Sequence, residues 1–246
     1  MNKNLLLASN SPRRRELLAL IGFPYQSSSA DVDESILPNE APADYVLRLA
    51  EAKARACFPH PNRLEKKPLR AHQREGSALS LWEMAENEGK IIIGSDTAVV
   101  DAGEILGKPR DASDAVAMLK QLRGRTHQVY TAVALFDPEK DQVRTELSIT
   151  DVSMRAYSDA DLEAYVQSGN PLDKAGAYAI QNADFHPVEN FNGCYASVMG
   201  LPLCHLARSL KKMGQVPEAD VPVLCQATLA YDCSIYNVVL GDENFE

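Results

Sequence analysis

The segment 5–21 has the pattern of a strand, a tight turn and a helix, which limits how the rest of the chain can fold around it. The apolar run Leu5–Ala8 predicts a short buried strand, and the polar Ser9–Pro12 predicts a turn. Arg13–Ile21 carries leucine and isoleucine at helical spacing and ends at Gly22, which predicts a helix. Because the first N–H groups of a helix have no partner within it, this arrangement is typical of an anion-binding site.

Three consecutive arginines, Arg13, Arg14 and Arg15, open the predicted helix just after Pro12. Positive side chains beside the positive end of a helix dipole repel it, and a bound anion would offset that repulsion. A guanidinium group can pair with two phosphate oxygens at once, and the hydroxyls of Ser9 and Ser11 add further contacts. The alternative is a solvated first turn. The dipole argument favours phosphate binding.

The charge balance of the chain favours a small anionic ligand over a long polynucleotide. Of its 246 residues, 45% are hydrophobic and 24% are charged, as expected of a globular protein with a sizeable core. The net charge is −9, whereas proteins that bind nucleic acid along its backbone usually carry a basic surface. We therefore expect a small phosphate-bearing ligand and no nucleic-acid partner.

Cysteine usage and hydropathy predict a cytoplasmic protein without membrane association. The five cysteines are odd in number and form no C-x-x-C pair, which argues against a disulfide framework and a zinc knuckle. The run Leu5–Ala8 is shorter than the roughly 7–15 apolar residues of a signal-peptide core. No stretch reaches the roughly 18 apolar residues of a membrane-spanning helix.

Strand and helix patterns alternate along most of the chain and predict an α/β fold. Ser158 and Asp161 resemble a capping box at a helix start. Phe58–Gly89 contains prolines and basic residues with little periodicity, so we interpret it as an inserted loop. The segment 217–246 is compatible with a packed extension, a dimer element or a disordered tail. The other predicted strands are 24–30, 91–101, 128–136, 144–156 and 185–191, and the other helices are 42–57, 113–122, 158–167 and 201–213.

Two carboxylates have the chemistry to hold a metal ion or activate water. Asp96 lies in Gly94–Thr97, which interrupts the apolar pattern of strand 91–101, and a buried carboxylate is costly unless it is paired or metal-bound. Asp96 is a candidate metal ligand, general base or both, with a solvent-exposed bulge or strand end as the alternative. Glu34 could join it, because magnesium usually takes one or two carboxylates plus substrate oxygens. An acidic turn alone is more often simply solvated.

Three lysines, Lys53, Lys108 and Lys174, could together neutralise a triphosphate, although each alone has the pattern of a surface lysine. His127, as a lone histidine at a strand start, favours a structural role. The chain has no P-loop, no dinucleotide-binding glycine motif and no zinc-protease helix motif, so these chemistries have no support.

Eight short motifs follow one another in a specific order and cover residues 4–57 and 90–213. They are 7–18, 33–35, 49–54, 94–97, 107–109, 124–131, 173–181 and 198–203. In this order they resemble the Maf family of nucleoside triphosphate pyrophosphatases. The resemblance implies an α/β fold similar to that of the ITPases, with a central mixed sheet flanked by helices and two lobes around a substrate cleft.

The resemblance also implies a reaction and roles for particular residues. The reaction is hydrolysis of the α–β phosphoanhydride of a nucleoside triphosphate to the monophosphate and pyrophosphate, with Mg²⁺ or Mn²⁺ and often in a homodimer. Asp96 would be the catalytic base and Glu34 with Asp96 the metal ligands. The phosphate-binding residues would be Ser9, Ser11, Arg14, Lys53 and Lys108.

Three positions resemble the branch of the family that acts on dTTP and UTP. Arg13 follows Ser-Pro, Thr97 follows the catalytic aspartate, and Gln181 ends the motif that begins at Asp173. A glutamine amide both donates and accepts, which suits the adjacent O4 and N3–H of uracil or thymine. Gln181 is followed by Asn182 where the family usually has glycine.

We therefore expect a Maf-like domain over 1–214, with an insertion at 58–89, and a C-terminal extension over 215–246 of unknown role. Two alternatives remain for the function. One is a house-cleaning pyrophosphatase for modified or other nucleotides. The other is a regulator that binds nucleotides or nucleic acid through the arginine cluster without catalysis, which the net charge of −9 disfavours.

Overall fold

The structure is a computed structural model that describes residues 3–58 and 89–241. This part of the chain has the predicted α/β architecture, with a six-stranded mixed sheet flanked by helices. The strands are β1 (Asn4–Ala8), β2 (Tyr25–Ser28), β3 (Lys90–Asp101), β4 (Glu104–Leu106), β5 (Thr126–Asp137) and β6 (Gln142–Ser153). The α-helices are α1 (Pro12–Ala19), α2 (Pro42–Ala56), α3 (Ala112–Leu122), α4 (Asp159–Gln167), α5 (Tyr195–Val198), α6 (Leu203–Lys212), α7 (Val221–Leu229) and α8 (Tyr236–Gly241). Short 3₁₀ helices occupy Asn170–Asp173 and Ala175–Ala177.

The sheet has the strand order β2-β1-β3-β5-β6, and β4 pairs with β3. β1 is parallel to both β2 and β3, whereas β3, β5 and β6 form an antiparallel series. Parallel neighbours need a crossover connection, which α1 supplies between β1 and β2. The N-terminus of α1 therefore follows directly from the carboxyl end of a central strand.

β3 changes neighbours along its length, and this leaves a gap in the sheet. Lys90–Ile93 pair with β1, and Val99–Asp101 pair with β4. β5 takes the other side of the strand over Ile92–Val100. Among the described strands, Gly94–Ala98 therefore has β5 as its only neighbour. Because successive side chains of a strand point to opposite faces, side chains from both faces of the sheet reach this gap.

Two apolar cores lie on one face of the sheet, on either side of the gap. Ile91 and Ile93 pack in the first core with α1 and α6, and Val99 packs in the second with α3 and α4. Ser95 and Thr97 lie between the cores on the same face, because residues of odd number share it. The two cores correspond to the two predicted lobes.

Helix α2 covers the opposite face and lies unusually close to β3. A Cβ atom added to Gly94 would lie 2.0 Å from the Ala50 carbonyl oxygen and 2.7 Å from the Ala54 nitrogen. Only glycine leaves room for the helix backbone at this point. The contact brings Lys53 of α2 next to the gap in the sheet.

The predicted elements form within a few residues of their expected bounds, with two differences. β3 runs unbroken, because Asp96 pairs with Ala132 in the ladder, so the polar residues neither interrupt the strand nor form a bulge. The strand predicted at 185–191 is reduced to one bridge between Met154 and Val188. Pro187 contributes to this loss, because proline has no N–H to donate to a ladder. The predicted capping box of Ser158 and Asp161 is confirmed.

Two regions lay outside the expected family pattern. Of the predicted insertion 58–89, Phe58 and Gly89 are described, and the rest lies outside the described residues. The C-terminal segment forms α7 and α8, and Val221 at the start of α7 belongs to the first core. Up to residue 241 it is therefore a packed extension. Among the described residues, no helix is long and apolar enough to cross a membrane.

Candidate active site

A cleft of about 640 Å³ opens at the gap in the sheet. Its volume suits a small molecule, since ligand sites usually measure about 300–1,000 Å³. The cleft brings together every site residue predicted from the sequence: Ser9, Ser11, Arg13, Arg14, Glu34, Lys53, Asp96, Thr97, Lys108 and Gln181. These residues come from distant parts of the chain, so their convergence is a product of the fold.

The turn between β1 and α1 lines the cleft with Ser9–Arg14, which we call the anion cradle because its groups suit an anion. Ser11 is the N-cap of α1, and its hydroxyl accepts a hydrogen bond from the Arg14 backbone N–H at 3.4 Å. The Ser9 hydroxyl accepts from the Ser11 N–H at 3.2 Å. Pro12 is the first helical residue, as predicted. The helix dipole and these hydroxyls together favour an anion at this point.

Arg14 links the cradle to two other elements. Its Nε donates to the Gly200 carbonyl at 2.9 Å, and its Nη2 donates to the Thr97 hydroxyl at 3.1 Å. Burial lowers the pKa of Arg14, an effect that the negative charge of Asp96 opposes. Arginine nevertheless stays charged in proteins, so a partly buried cation faces the cleft. Its remaining N–H groups are suited to phosphate oxygens.

Lys53 lies between two carboxylates that line the cleft, Glu34 and Asp96. Its ammonium nitrogen is 2.6 Å from Glu34 Oε1 and 2.6 Å from Asp96 Oδ1. Lys53 and Asp96 are both buried, whereas the Glu34 side chain is half exposed. Partial burial raises the pKa of Glu34, but the hydrogen bond and charge of Lys53 lower it to a value below the ordinary one.

Tyr45 of α2 lies in the negative potential of Asp96 and Glu34. Burial, together with the negative charges of Asp96 and Glu34, raises the pKa of its hydroxyl to about 12. That hydroxyl donates to the Glu34 carbonyl at 3.0 Å and so ties the acidic turn to α2. The cleft thus combines the cationic Arg14 of α1 with the carboxylates of Glu34 and Asp96, whose charges act on that guanidinium.

The carboxylate oxygens of Glu34 and Asp96 fit a hard divalent cation that is shared with a ligand. Oxygens of Glu34 and Asp96 converge on a single cationic group, the Lys53 ammonium. Within the described residues, no cluster of three or more His, Cys, Asp or Glu side chains could hold a metal ion. Magnesium needs only one or two protein carboxylates when phosphate oxygens and water complete its shell.

Two of the residues predicted to select the base, Arg13 and Gln181, line the cleft together with Asp173–Lys174. Thr97, the third, lies beside Arg14. Partial burial raises the pKa of Asp173, but the Lys174 hydrogen bond and the charges of Lys174 and Arg13 lower it to a value below the ordinary one. Arg13 therefore lies towards Asp173, whereas Arg14 faces Thr97 and Gly200. Lys174 is held locally by Asp173 and the Asn170 carbonyl.

Sequence reasoning missed the residues that hold Arg14 in place. The Gly200 carbonyl accepts from both Arg14 and the Ser95 hydroxyl, the latter at 2.8 Å. The Thr131 hydroxyl lies 3.1 Å from that of Thr97 and donates to the Ser197 carbonyl at 2.8 Å. Gly200 and Thr131 occur in the recognised motifs, but a backbone acceptor has no sequence signature.

His127 does not line the cleft, which agrees with the structural role expected for it. Its ring is buried in β5, and Nε2 lies 2.8 Å from the Tyr178 hydroxyl. Burial lowers its pKa to about 4, so the ring is neutral near pH 7.

Comparison with known proteins identifies the family of this chain. A family model described as Maf-like protein matches residues 4–213. A relative from Geobacter sulfurreducens, named dTTP/UTP pyrophosphatase, is 40% identical over 210 residues, which cover 85% of this chain and 96% of the relative. Relatives of the same name from Hahella chejuensis and Anaeromyxobacter dehalogenans are 43% and 42% identical, over 86% and 87% of this chain and 93% and 96% of their own lengths. The chain belongs to the Maf family.

Proposed function

We propose that this protein is a nucleoside triphosphate pyrophosphatase that hydrolyses dTTP and UTP to the monophosphate and pyrophosphate. The observation that carries the proposal is the Glu34–Lys53–Asp96 group, which faces the anion cradle of Ser9–Arg14 within one cleft. The names of the relatives support the choice of substrate. A cleft that brings cationic side chains and a buried carboxylate together suits hydrolysis of a phosphoanhydride.

Most of the catalytic work in this proposal is positioning and charge neutralisation, as in other phosphoryl reactions. Ser9, Ser11 and Arg14 bind phosphate oxygens at the α1 N-terminus. Lys53 and Lys108 approach the phosphates from α2 and the 107–109 loop. The negative charge on the leaving pyrophosphate is thereby offset as the bond to it breaks.

Asp96 acts on the water nucleophile. Its carboxylate accepts a proton from water as the water oxygen adds to phosphorus at the α–β linkage. The phosphorus–oxygen bond to pyrophosphate then breaks, and the bond electrons leave with the pyrophosphate. Lys53, 2.6 Å from Asp96 Oδ1, holds this carboxylate in position.

A divalent cation, Mg²⁺ or Mn²⁺, would be held by Glu34 and Asp96 together with phosphate oxygens. When bound, it would supply further positive charge against the triphosphate. Lys53 contacts both of these carboxylates, so a cation held there would leave its ammonium available to the phosphates.

Base preference rests on Gln181, Arg13 and Thr97. The Gln181 amide pairs with O4 and N3–H of uracil or thymine, and the other two side chains complete the selection. We further propose that the protein is cytoplasmic and that it forms a homodimer. Light scattering of the purified protein would test the homodimer.

Pyrophosphate release across a panel of triphosphates tests the proposal. With Mg²⁺ or Mn²⁺, dTTP and UTP should be cleaved faster than purine nucleotides, 7-methyl-GTP or modified nucleotides. Asp96→Asn should lower kcat at least about 100-fold, because removing a catalytic base usually costs 10²–10⁴-fold. Gln181→Glu should change the order of substrates while leaving turnover of the best one measurable.

Other outcomes would point elsewhere. Faster cleavage of modified nucleotides would favour the house-cleaning alternative. A protein that releases no pyrophosphate from any nucleotide but binds DNA would favour the regulator. Unchanged base preference in Gln181→Glu would remove Gln181 from the base site.

A further inference from the structure

The C-terminal extension grips the loop 191–195, which leads into the cleft. The Gly193 backbone N–H donates to the Tyr231 hydroxyl at 3.1 Å, and that hydroxyl lies 3.4 Å from the Phe191 carbonyl oxygen. The Tyr231 ring also packs against the rings of Phe191 and Tyr195, with centroids 5.3 and 5.5 Å apart. A second tie joins the Ser234 hydroxyl to the Asn192 side chain.

Tyr231 is itself held firmly within the extension. Its backbone N–H donates to the Gln226 carbonyl at the end of α7, and the Gln226 side chain accepts from the Cys233 N–H at 2.8 Å. Farther along, the Arg208 guanidinium of α6 donates to the Val239 carbonyl at 2.8 Å and pairs with Glu146 of β6. The extension is thus anchored on the domain at both ends.

The loop 191–195 continues directly into residues that line the cleft. After Cys194 the chain forms α5, a single turn that is too short to be stable without tertiary contacts. The turn ends at Met199 and Gly200, which line the cleft, and the Gly200 carbonyl accepts from Arg14 and Ser95. The position of that carbonyl depends on where the loop 191–195 fixes the start of the turn.

We infer that Tyr231 is a positioning residue for the nucleotide cleft, acting through α5 and Gly200 on the guanidinium of Arg14. This inference rests on the proposed function of Arg14 in phosphate binding. Tyr231 lies beyond residue 213, where the match to the family model ends, so the device belongs to the extension of this chain. The extension would therefore tune substrate affinity and does more than cover the first core.

The hydroxyl of Tyr231 can be separated experimentally from its ring. Gly193 is buried, and its N–H has Tyr231 as its only hydrogen-bond acceptor within the described part of the chain. Tyr231→Phe keeps the aromatic packing but leaves this amide unpaired, which favours movement of the loop. Tyr236→Phe is the matched control, because Tyr236 is a half-buried residue of the same extension and its hydroxyl makes no hydrogen bond within the described ranges.

Kinetics and binding of these variants test the inference. Tyr231→Phe should raise KM for UTP about three- to tenfold, the effect of losing roughly one hydrogen bond, with kcat within about twofold. The Kd for α,β-imido-dUTP, which cannot be cleaved at that linkage, should rise by the same factor. Tyr236→Phe should change neither constant and should leave Tm unchanged. Tyr231→Phe should lower Tm by only about 2–4 °C, the effect of about 1 kcal/mol in a chain of this size.

A double-mutant cycle distinguishes positioning from general loosening. If Tyr231 acts through Arg14, the effects of Tyr231→Phe and Arg14→Lys on Kd should combine to less than their sum in free energy. The effects of Tyr231→Phe and of Lys108→Ala should add, because Lys108 lies in the separate 107–109 loop. An unchanged Kd in Tyr231→Phe, or full additivity with Arg14→Lys, would overturn the inference. Failure of the proposed function would be seen separately, as absence of pyrophosphate release from the parent protein.

Discussion

Arg14 shows how one side chain serves two purposes in this cleft. Two of its N–H groups bind the protein, at Gly200 and Thr97, and this fixes the plane of the guanidinium. The remaining N–H groups are then aimed at the cleft without further loss of side-chain freedom. Arg15, its neighbour, does not line the cleft, so three identical residues in sequence have different environments.

Arg14→Lys should lower kcat/KM for UTP about 10- to 100-fold. A lysine keeps the charge but cannot hold both acceptors and a phosphate in one plane, and charged hydrogen bonds contribute about 1.5–3 kcal/mol each. Steady-state pyrophosphate release measures the change. Arg15→Lys is the control and should remain within about twofold. Equal losses in the two variants would mean that net charge alone matters.

At the scale of elements, the approach of α2 to β3 places Lys53 beside Asp96. The two elements lie close because Gly94 has no side chain, and the helix backbone fills the space of the missing Cβ. The ion pair of Lys53 with Asp96 therefore depends on a glycine two residues away from the aspartate. Packing of this kind cannot relax without moving the whole helix.

Gly94→Ala should destabilise the fold by about 3 kcal/mol or more and lower Tm by about 6–12 °C, because the new Cβ would overlap the Ala50 carbonyl. Thermal unfolding followed by circular dichroism measures this. Gly107→Ala is the matched control, since a Cβ there meets no atom within 4 Å and its φ is not positive. A Tm of Gly94→Ala equal to that of the control would show that α2 is free to move.

For the whole molecule, two buried histidines should make stability depend on pH. Burial lowers the pKa of His127 and of His205 to about 4, with Asp101 and Arg125 as the charged groups acting on the first and Arg208 and Glu146 on the second. In the unfolded chain both have the ordinary value of about 6.5, so the unfolded state takes up protons first as the pH falls. Their stabilising contribution is complete above about pH 6.5 and is lost towards pH 4.

The free energy of unfolding should therefore fall by about 2 kcal/mol per histidine between pH 8 and pH 5. Urea denaturation at several pH values measures the fall. His205→Leu should reduce the slope by about half, because one of the two groups is removed. A parent protein whose stability is constant over this range would show that neither ring is excluded from solvent as described.

Local sequence patterns predicted most of the fold and the candidate site. Apolar periodicity located nearly all strands and helices, since burial of one face decides both periods. The candidate site residues were predicted because phosphate chemistry calls for arginine, lysine, hydroxyl and carboxylate groups, and these stood in recognisable motifs. The structure brings them into one cleft. The strand expected at 185–191 did not form, because an apolar pattern does not reveal whether a neighbouring edge is free to pair.

The strand–turn–helix of 4–19 and its anion cradle were determined by the sequence, because a helix cap and its first turn involve residues only a few positions apart. Tertiary structure alone decided that β1 and β4 leave Gly94–Ala98 open on one side, so that Asp96 and Thr97 reach one cleft from opposite faces. It also decided that Tyr231 binds Gly193. These contacts join residues far apart in the chain, and their geometry depends on how whole elements pack, which no local pattern encodes.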